Sequence, residues 1–253
     1  MAQRVPGVAN PLFAFLAPFR GLSRVFDPAL RGLVIIPLLI NSAVVIGLAT
    51  AAAFGFEALL ATWLPGGWDW LAWLLWPLFA LALLVAFSVS AVALAAIIAS
   101  PFAGPLAYRT ACHLGYPPQR PARSFLAETG HAGITALRKT GYYALLFIPV
   151  LLITAIPGLN LLAGIAWFIF GSWVLAVEFQ EPPLANDGPD FATVLAALRH
   201  RRLETLAFGA GTTLLAMVPL LNLLLVPAAV IGATHLHVRR QLRQPSRGTG
   251  DPL

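Results

Sequence analysis

The residues best placed to do chemistry in this 253-residue chain lie in Asp27-Pro28-Ala29-Leu30-Arg31-Gly32. Asp27 suits a helix cap, Pro28 suits the first helical position, and Arg31 falls within the first turn. Free backbone N–H groups, the positive end of a helix dipole and a guanidinium together make an anion site. From residue types alone, the simpler reading is an arginine that holds a membrane span at the headgroups. Asn41 lies inside the apolar run that follows, where an amide needs a partner. It either lines a polar path or bonds another helix as structural glue. Two further asparagines, Asn160 and Asn222, occupy the same place in a repeated phrase, Pro157-Gly158-Leu159-Asn160-Leu161-Leu162 and Pro219-Leu220-Leu221-Asn222-Leu223-Leu224. His235 and His237 stand on different sides of a helix, so no metal site is expected from them. His113, His131 and His200 are scattered through polar regions. The sequence has no Walker loop, nucleophile elbow or pair of carboxylates at catalytic spacing, so neither an enzyme nor an ATP-driven pump is expected, and no cofactor.

Hydrophobic residues make up 59% of the chain and charged residues 10%, with a mean hydropathy of +0.82. Soluble domains carry about 25% charged residues. A chain this apolar reads as an all-α integral membrane protein, a single membrane domain over 1–253. The net charge of +6 does not point to nucleic acid, because the basic residues flank apolar segments instead of forming one stripe. The single cysteine, Cys112, excludes an intrachain disulfide. Met1–Ala9 lacks the features of a signal peptide, so the mature chain is expected to begin near Met1.

The elements that would position these residues follow from hydropathy. Residues 10–26 place Leu12, Phe15, Leu16, Phe19, Leu22 and Phe26 on one helical face and Arg20, Ser23 and Arg24 on the other. This is an amphipathic helix, either interfacial or packed on the protein's own cytoplasmic face. Residues 32–64 and 71–111 read as two long transmembrane helices. They are joined by Pro65-Gly66-Gly67 within an aromatic belt of Trp63, Trp68, Trp70, Trp73 and Trp76. A polar region with Arg109, Arg120, Arg123, Arg138 and Lys139 follows, broken at Pro117-Pro118 and Pro121, with Ser124–Lys139 as a short helix. A second polar region carries Arg199, Arg201 and Arg202, with Asp190 placed to cap a helix beginning at Phe191. Arg239, Arg240, Arg243 and Arg247 lead into a disordered tail, 244–253. All sixteen basic residues avoid the Trp-rich loop, which places the basic regions and termini in the cytoplasm and that loop outside.

The repeated phrase sits at the centre of two apolar stretches, 141–177 and 203–238. The arms before each turn are about 16 residues, or about 24 Å, short of a hydrocarbon core of about 30 Å. We read them as re-entrant hairpins that dip in from the cytoplasmic side, with Asn160 and Asn222 satisfying freed backbone groups at the turns. Two ordinary helical hairpins, giving six crossings, are the alternative. Two functions remain open on the residues alone: transport, and a non-transport membrane scaffold or regulatory protein.

Leu30-Arg31-Gly32-Leu33-Val34-Ile35-Ile36-Pro37-Leu38-Leu39-Ile40-Asn41 resembles the first-span signature of the CysZ sulfate transporters. The same family is resembled by Ile98-Ala99-Ser100-Pro101-Phe102-Ala103-Gly104-Pro105-Leu106-Ala107, by Ala197–Arg202, and by Val218-Pro219-Leu220-Leu221-Asn222-Leu223 with Pro227 and Gly232-Ala233-Thr234. The resemblance implies a bacterial inner-membrane protein that passes sulfate, with sulfite as a related ligand, for cysteine synthesis through a channel-like pathway. It also implies a homo-oligomer in the lipid bilayer, with two long helices and two partly penetrating hairpins. The implied sulfate site is Leu30, Arg31 and Gly32, where Gly32 replaces a frequent second arginine and Ala29 a glycine, with Arg24 as the base that completes it. Tyr108 stands where the family tends to carry an acid.

Overall fold

A computed structural model of the chain describes residues 10–64, 69–118, 125–222 and 224–243, and all the regular structure in them is helical. The Pro65-Gly66-Gly67 turn, Trp68, Arg120, Pro121, Arg123, Leu223 and the 244–253 tail lie outside the described residues, as do the side chains of Asp69, Glu128 and His131. The chain divides into two compact units, Ile35–Ser100 and Met1–Val34 with Pro101–Leu253.

The Ile35–Ser100 unit holds most of two helices, α2 (Arg31–Trp63) and α3 (Asp69–His113). At 33 residues α2 extends about 50 Å, well beyond a hydrocarbon core of about 30 Å. Its apolar side chains stay outside: only 6% of its most apolar window is buried, and Leu39, Ile46, Phe54 and Trp63 are exposed. An apolar helix without an aqueous face has lipid as its natural solvent. Phe56 stacks on Phe79 with ring centroids 4.1 Å apart and meets Trp76 edge-on at 5.2 Å. Trp63, Trp70 and Trp73 are exposed near the ends that face the loop.

The other unit contains α1 (Pro11–Leu22), α4 (Phe125–Ala155), α5 (Ala163–Ala185), α6 (Phe191–His200), α7 (Arg202–Ala216), the single turn α8 (Pro219–Asn222) and α9 (Leu225–Arg243). Its core is built where α1, α5, α7 and α9 meet, around Ala17, Phe208, Leu215, Ala228, Ile231 and Leu236. Asn10 caps α1 by accepting from the Phe13 N–H at 3.0 Å, which starts the helix on time. The face of α1 that packs inward is Ala14, Ala17, Pro18 and Gly21, not the large apolar stripe. Leu12 and Phe26 are two-thirds exposed. Small residues let the backbones close up. A Cβ on Gly21 would lie 1.9 Å from the Ala228 carbonyl oxygen, one on Gly211 2.1 Å from that of Phe15, and one on Gly232 2.3 Å from that of Ala17. Gly209 makes the same approach to Ser172 on α5.

The sequence expectation of a short helix at 124–139 followed by a separate arm gives way to one continuous helix, α4. Nothing at Thr140-Gly141 breaks it, since an interior glycine costs only about 1 kcal/mol relative to alanine. By length and composition alone, three described stretches are long and apolar enough to cross a membrane: Arg31–Trp63, Leu137–Ala155 and Leu159–Ala185. Between the last two, Gly158 takes φ 88° and a 3-10 turn, Leu159–Leu162, reverses the chain. The polar base of this hairpin is tied by Lys139, whose ammonium reaches Glu178 at 3.3 Å and Glu181 at 3.2 Å. The Tyr143 hydroxyl donates to Glu178 at 3.2 Å, and the Trp173 indole N–H donates to the Tyr142 hydroxyl at 2.8 Å.

Candidate functional site at the start of the first long helix

Asp27 organises the entry to α2. Its backbone carbonyl accepts the N–H groups of Leu30 and Arg31, both at 2.9 Å, and its Oδ1 accepts that of Ala29 at 3.2 Å. Asp27 thus closes a turn over residues 28–30, and α2 begins only at Arg31, so Pro28 does not occupy the first helical position; the turn uses up three of the N–H groups that sequence reasoning offers to an anion. What remains outward is the guanidinium. Arg31 is exposed, Gly32 is exposed with open space beside it, and Leu30 is buried at 2% in the core as the pin that seats the turn. Arg24 is exposed one turn before Asp27, after the C-cap of α1.

Two histidines from distant parts of the chain join this turn. His113, at the C-terminal end of α3, lies 3.5 Å from Asp27 Oδ2. His235, on α9, is pushed down to about 4 by burial, then by the Arg24 guanidinium and by His113. Arg24 from the end of α1, His113 from the end of α3 and His235 from α9 thus come together beside the Asp27 turn. Such a cluster attracts anions and resists further protonation. Sequence reasoning set His235 aside because His237 stands on another side of the helix, and His113 because it lies scattered in a polar region.

The three asparagines behave differently from one another. Asn41 is part-buried within α2 and its Oδ1 has no hydrogen-bond partner among the described residues. Asn160 is exposed in its turn and Asn222 part-buried in its own. Their backbones close those turns, with Asn160 N–H on Ile156 at 3.2 Å and Asn222 N–H on Val218 at 2.9 Å. Among the described residues the backbone closes both turns, and no hydrogen bond of either amide side chain is seen there. The backbone does that work because a 3-10 turn and a one-turn helix supply their own partners.

A second polar centre lies where α5, α6 and α9 end, and no sequence motif announces it. Gly115, at φ 75°, turns the chain after α3 so that Tyr116 donates its hydroxyl to Asp187 Oδ2 at 3.2 Å. His237 Nε2 meets the same oxygen at 2.6 Å. Arg240 is paired with Glu204 at 3.2 Å and donates to Gln180 at 3.3 Å. Burial, partly offset by Glu204, lowers the Arg240 guanidinium. His235 and His237 therefore do face different neighbours, as their spacing predicts.

A profile of the family described as sulfate transporter CysZ/etoposide-induced protein 2.4 matches residues 17–227. The chain belongs to that family. A sulfate transporter CysZ of Pseudomonas fluorescens is 33% identical over 229 residues, covering 87% of this chain and 91% of the relative. The sulfate transporter CysZ of Pectobacterium atrosepticum is 34% identical over 232 residues, covering 88% and 83%. That of Salmonella typhimurium is 33% identical over 229 residues, covering 87% and 89%. Within the CysZ match lie Arg24, Leu30, Arg31, Gly32, Asn41, Asn160 and Asn222, whereas His235, His237 and Arg240 fall beyond residue 227.

Proposed function

We propose that this chain carries sulfate across the bacterial inner membrane, as a transporter and not an enzyme, with Arg31 and Arg24 recruiting the dianion at the start of α2. Membership of the CysZ family over most of the chain is the observation that carries the reading. The geometry supports it: Arg31 and Arg24 are exposed cations at the mouth of an otherwise charge-poor apolar helix. Sulfate gives up water only where donors replace it, and guanidinium supplies paired, charge-assisted ones. Supply of cysteine synthesis, a channel-like route, acceptance of sulfite and assembly as a homo-oligomer belong to the same reading.

The membrane arrangement we infer has α2 and α3 crossing, with the basic loops and termini cytoplasmic. The α4–α5 and α7–α9 hairpins enter from that side without crossing, and the whole chain is one membrane domain. From the Lys139 ion pairs to the end of α4 the helix rises about 24 Å, and from Glu204 to the end of α7 about 18 Å. Both fall short of about 30 Å if those ion pairs stay at the headgroups. The exposed apolar side chain of Leu12 on α1, and Phe26 in the turn after it, then meet lipid while the small-residue face of α1 stays docked.

Proteoliposomes holding the purified chain should take up radiolabelled sulfate. Arg31→Ala should reduce uptake by about tenfold or more, the loss of one charge-assisted pair. Uptake no faster than in empty liposomes would sink the transport reading, and full uptake by Arg31→Ala would sink the site.

A further inference from the structure

Two arginines from opposite ends of the chain meet on one aromatic ring, and neither belongs to the anion site at Arg31. Arg20, near the end of α1, and Arg239, near the end of α9, lie over Phe13 at 4.3 Å and 3.8 Å from the ring centroid. Both distances run to the same point, so the two guanidinium carbons are no more than about 8 Å apart. A second link sets the same helices side by side. The charge of Arg24, one turn beyond Arg20, is felt at His235, one turn before Arg239. Arg20 is exposed and makes no ion pair among the described residues, and Arg239 is half-buried. Leu12 and Phe19, seven residues apart, form an exposed apolar row on α1; Phe13 and Arg20, also seven apart, form the row beside it.

The ring attracts both cations and neutralises neither. Each guanidinium has five N–H donors, so donors remain for an anion. Like charges this close favour an anion that bonds to both. Charge-assisted bonds of about 2.8 Å from two guanidiniums to one phosphate hold their carbons roughly 8 Å apart or closer. The apolar row decides which kind of phosphate fits. A soluble ion gains nothing from Leu12 and Phe19, whereas a lipid lays its acyl chains there and turns its phosphodiester to the arginines. A headgroup with its own ammonium brings a third cation to the pair, so a lipid of net negative charge is favoured. We propose that Arg20 and Arg239 bind the phosphodiester of an anionic phospholipid whose acyl chains run along Leu12 and Phe19. With one arginine on α1 and the other on α9, the bound lipid ties the two helices together. The site rests on α1 lying at the membrane surface and does not depend on sulfate movement.

Native mass spectrometry of the full chain in detergent micelles, with dioleoyl phosphatidylglycerol or dioleoyl phosphatidylcholine added, tests this. The parent chain should hold the first lipid about tenfold more tightly than the second. Arg20→Gln and Arg239→Gln should each reduce that preference by about fivefold or more. Arg20→Lys keeps the charge without the paired donors and should restore part of it. Arg202→Gln, which removes the same charge at another exposed position, should keep the parent's preference, and so should Arg31→Ala even where sulfate uptake is lost. Equal retention of the two lipids by the parent, an undiminished preference in Arg20→Gln, or an equal loss in Arg202→Gln would overturn the proposal. Displacement of the lipid by excess inorganic phosphate would overturn it too, by making the pair a site for a soluble anion. Lipid retention is read without any flux, so it fails or succeeds separately from the transport reading.

Discussion

Asp27 meets two opposing demands at the start of α2. Its carbonyl and carboxylate fix the first turn, yet its charge lies within a turn of the arginine proposed to draw sulfate in. His113, at the end of α3, lies 3.5 Å from Asp27 Oδ2. Asparagine caps helices as well as aspartate does, so Asp27→Asn should keep the turn and remove the repulsion. Sulfate affinity is expected to rise by about fivefold at low salt and less at high salt, read by equilibrium binding. A fall would show that the carboxylate assists. His235 offers a second test. Its folded value of about 4 lies below the ordinary 6.5, so the unfolded chain takes the proton first as pH falls. His235 therefore costs stability progressively from pH 6.5 down to 4, and costs nothing above that window. His235→Gln should lose less melting temperature than the parent between those limits; parallel curves would argue against the linkage. Residue types made Arg31 visible in the sequence. They could not reveal His113, His235 or Asp187, whose partners come together only when helices distant in sequence pack.

At the scale of elements, backbone proximity matters more than apolar bulk. The apolar stripe of α1 is legible from its spacing, and reasoning from bulk would bury it. The structure buries the alanine and glycine face instead, because Gly21, Gly211 and Gly232 allow carbonyl oxygens to approach where any side chain would collide. A hydropathy pattern records what a face excludes from water, not which face touches protein, and in a membrane the two separate. Helix ends were easier to read: Asp190 accepts the Thr193 N–H at 3.1 Å and starts α6 where its sequence predicts. Gly211→Leu should lower the stability of the detergent-solubilised chain by about 1–3 kcal/mol or more through overpacking, seen as a reduced melting temperature. Gly32→Leu, at an open position, serves as the control and should change little.

For the whole molecule, composition was decisive about solvent and weak about depth. A chain with 59% hydrophobic residues belongs in a bilayer, and the exposed apolar side chains of α2 agree. How far each hairpin enters depends on where its ion pairs sit relative to headgroups, and Lys139 finds Glu178 and Glu181 only across a folded hairpin. Cysteines placed in the turns of a Cys112→Ala background, Leu159→Cys and Leu221→Cys, report on depth. In right-side-out vesicles a membrane-impermeant maleimide should leave both unlabelled if the hairpins stop short. Rapid labelling of either would mean that the hairpin crosses.

The docking of α1 also constrains how the protein is made. Its seat is formed by α7 and α9, the last long helices to leave the ribosome. During synthesis α1 emerges well before α7 and α9, and it then has nowhere to rest. Its glycine and alanine face stays without its partner until α9 arrives. Completion of the C-terminal helix is then the event that locks the N-terminus. Nascent chains stalled before Leu225 should leave α1 open to proteolysis, and chains released after Arg243 should protect it.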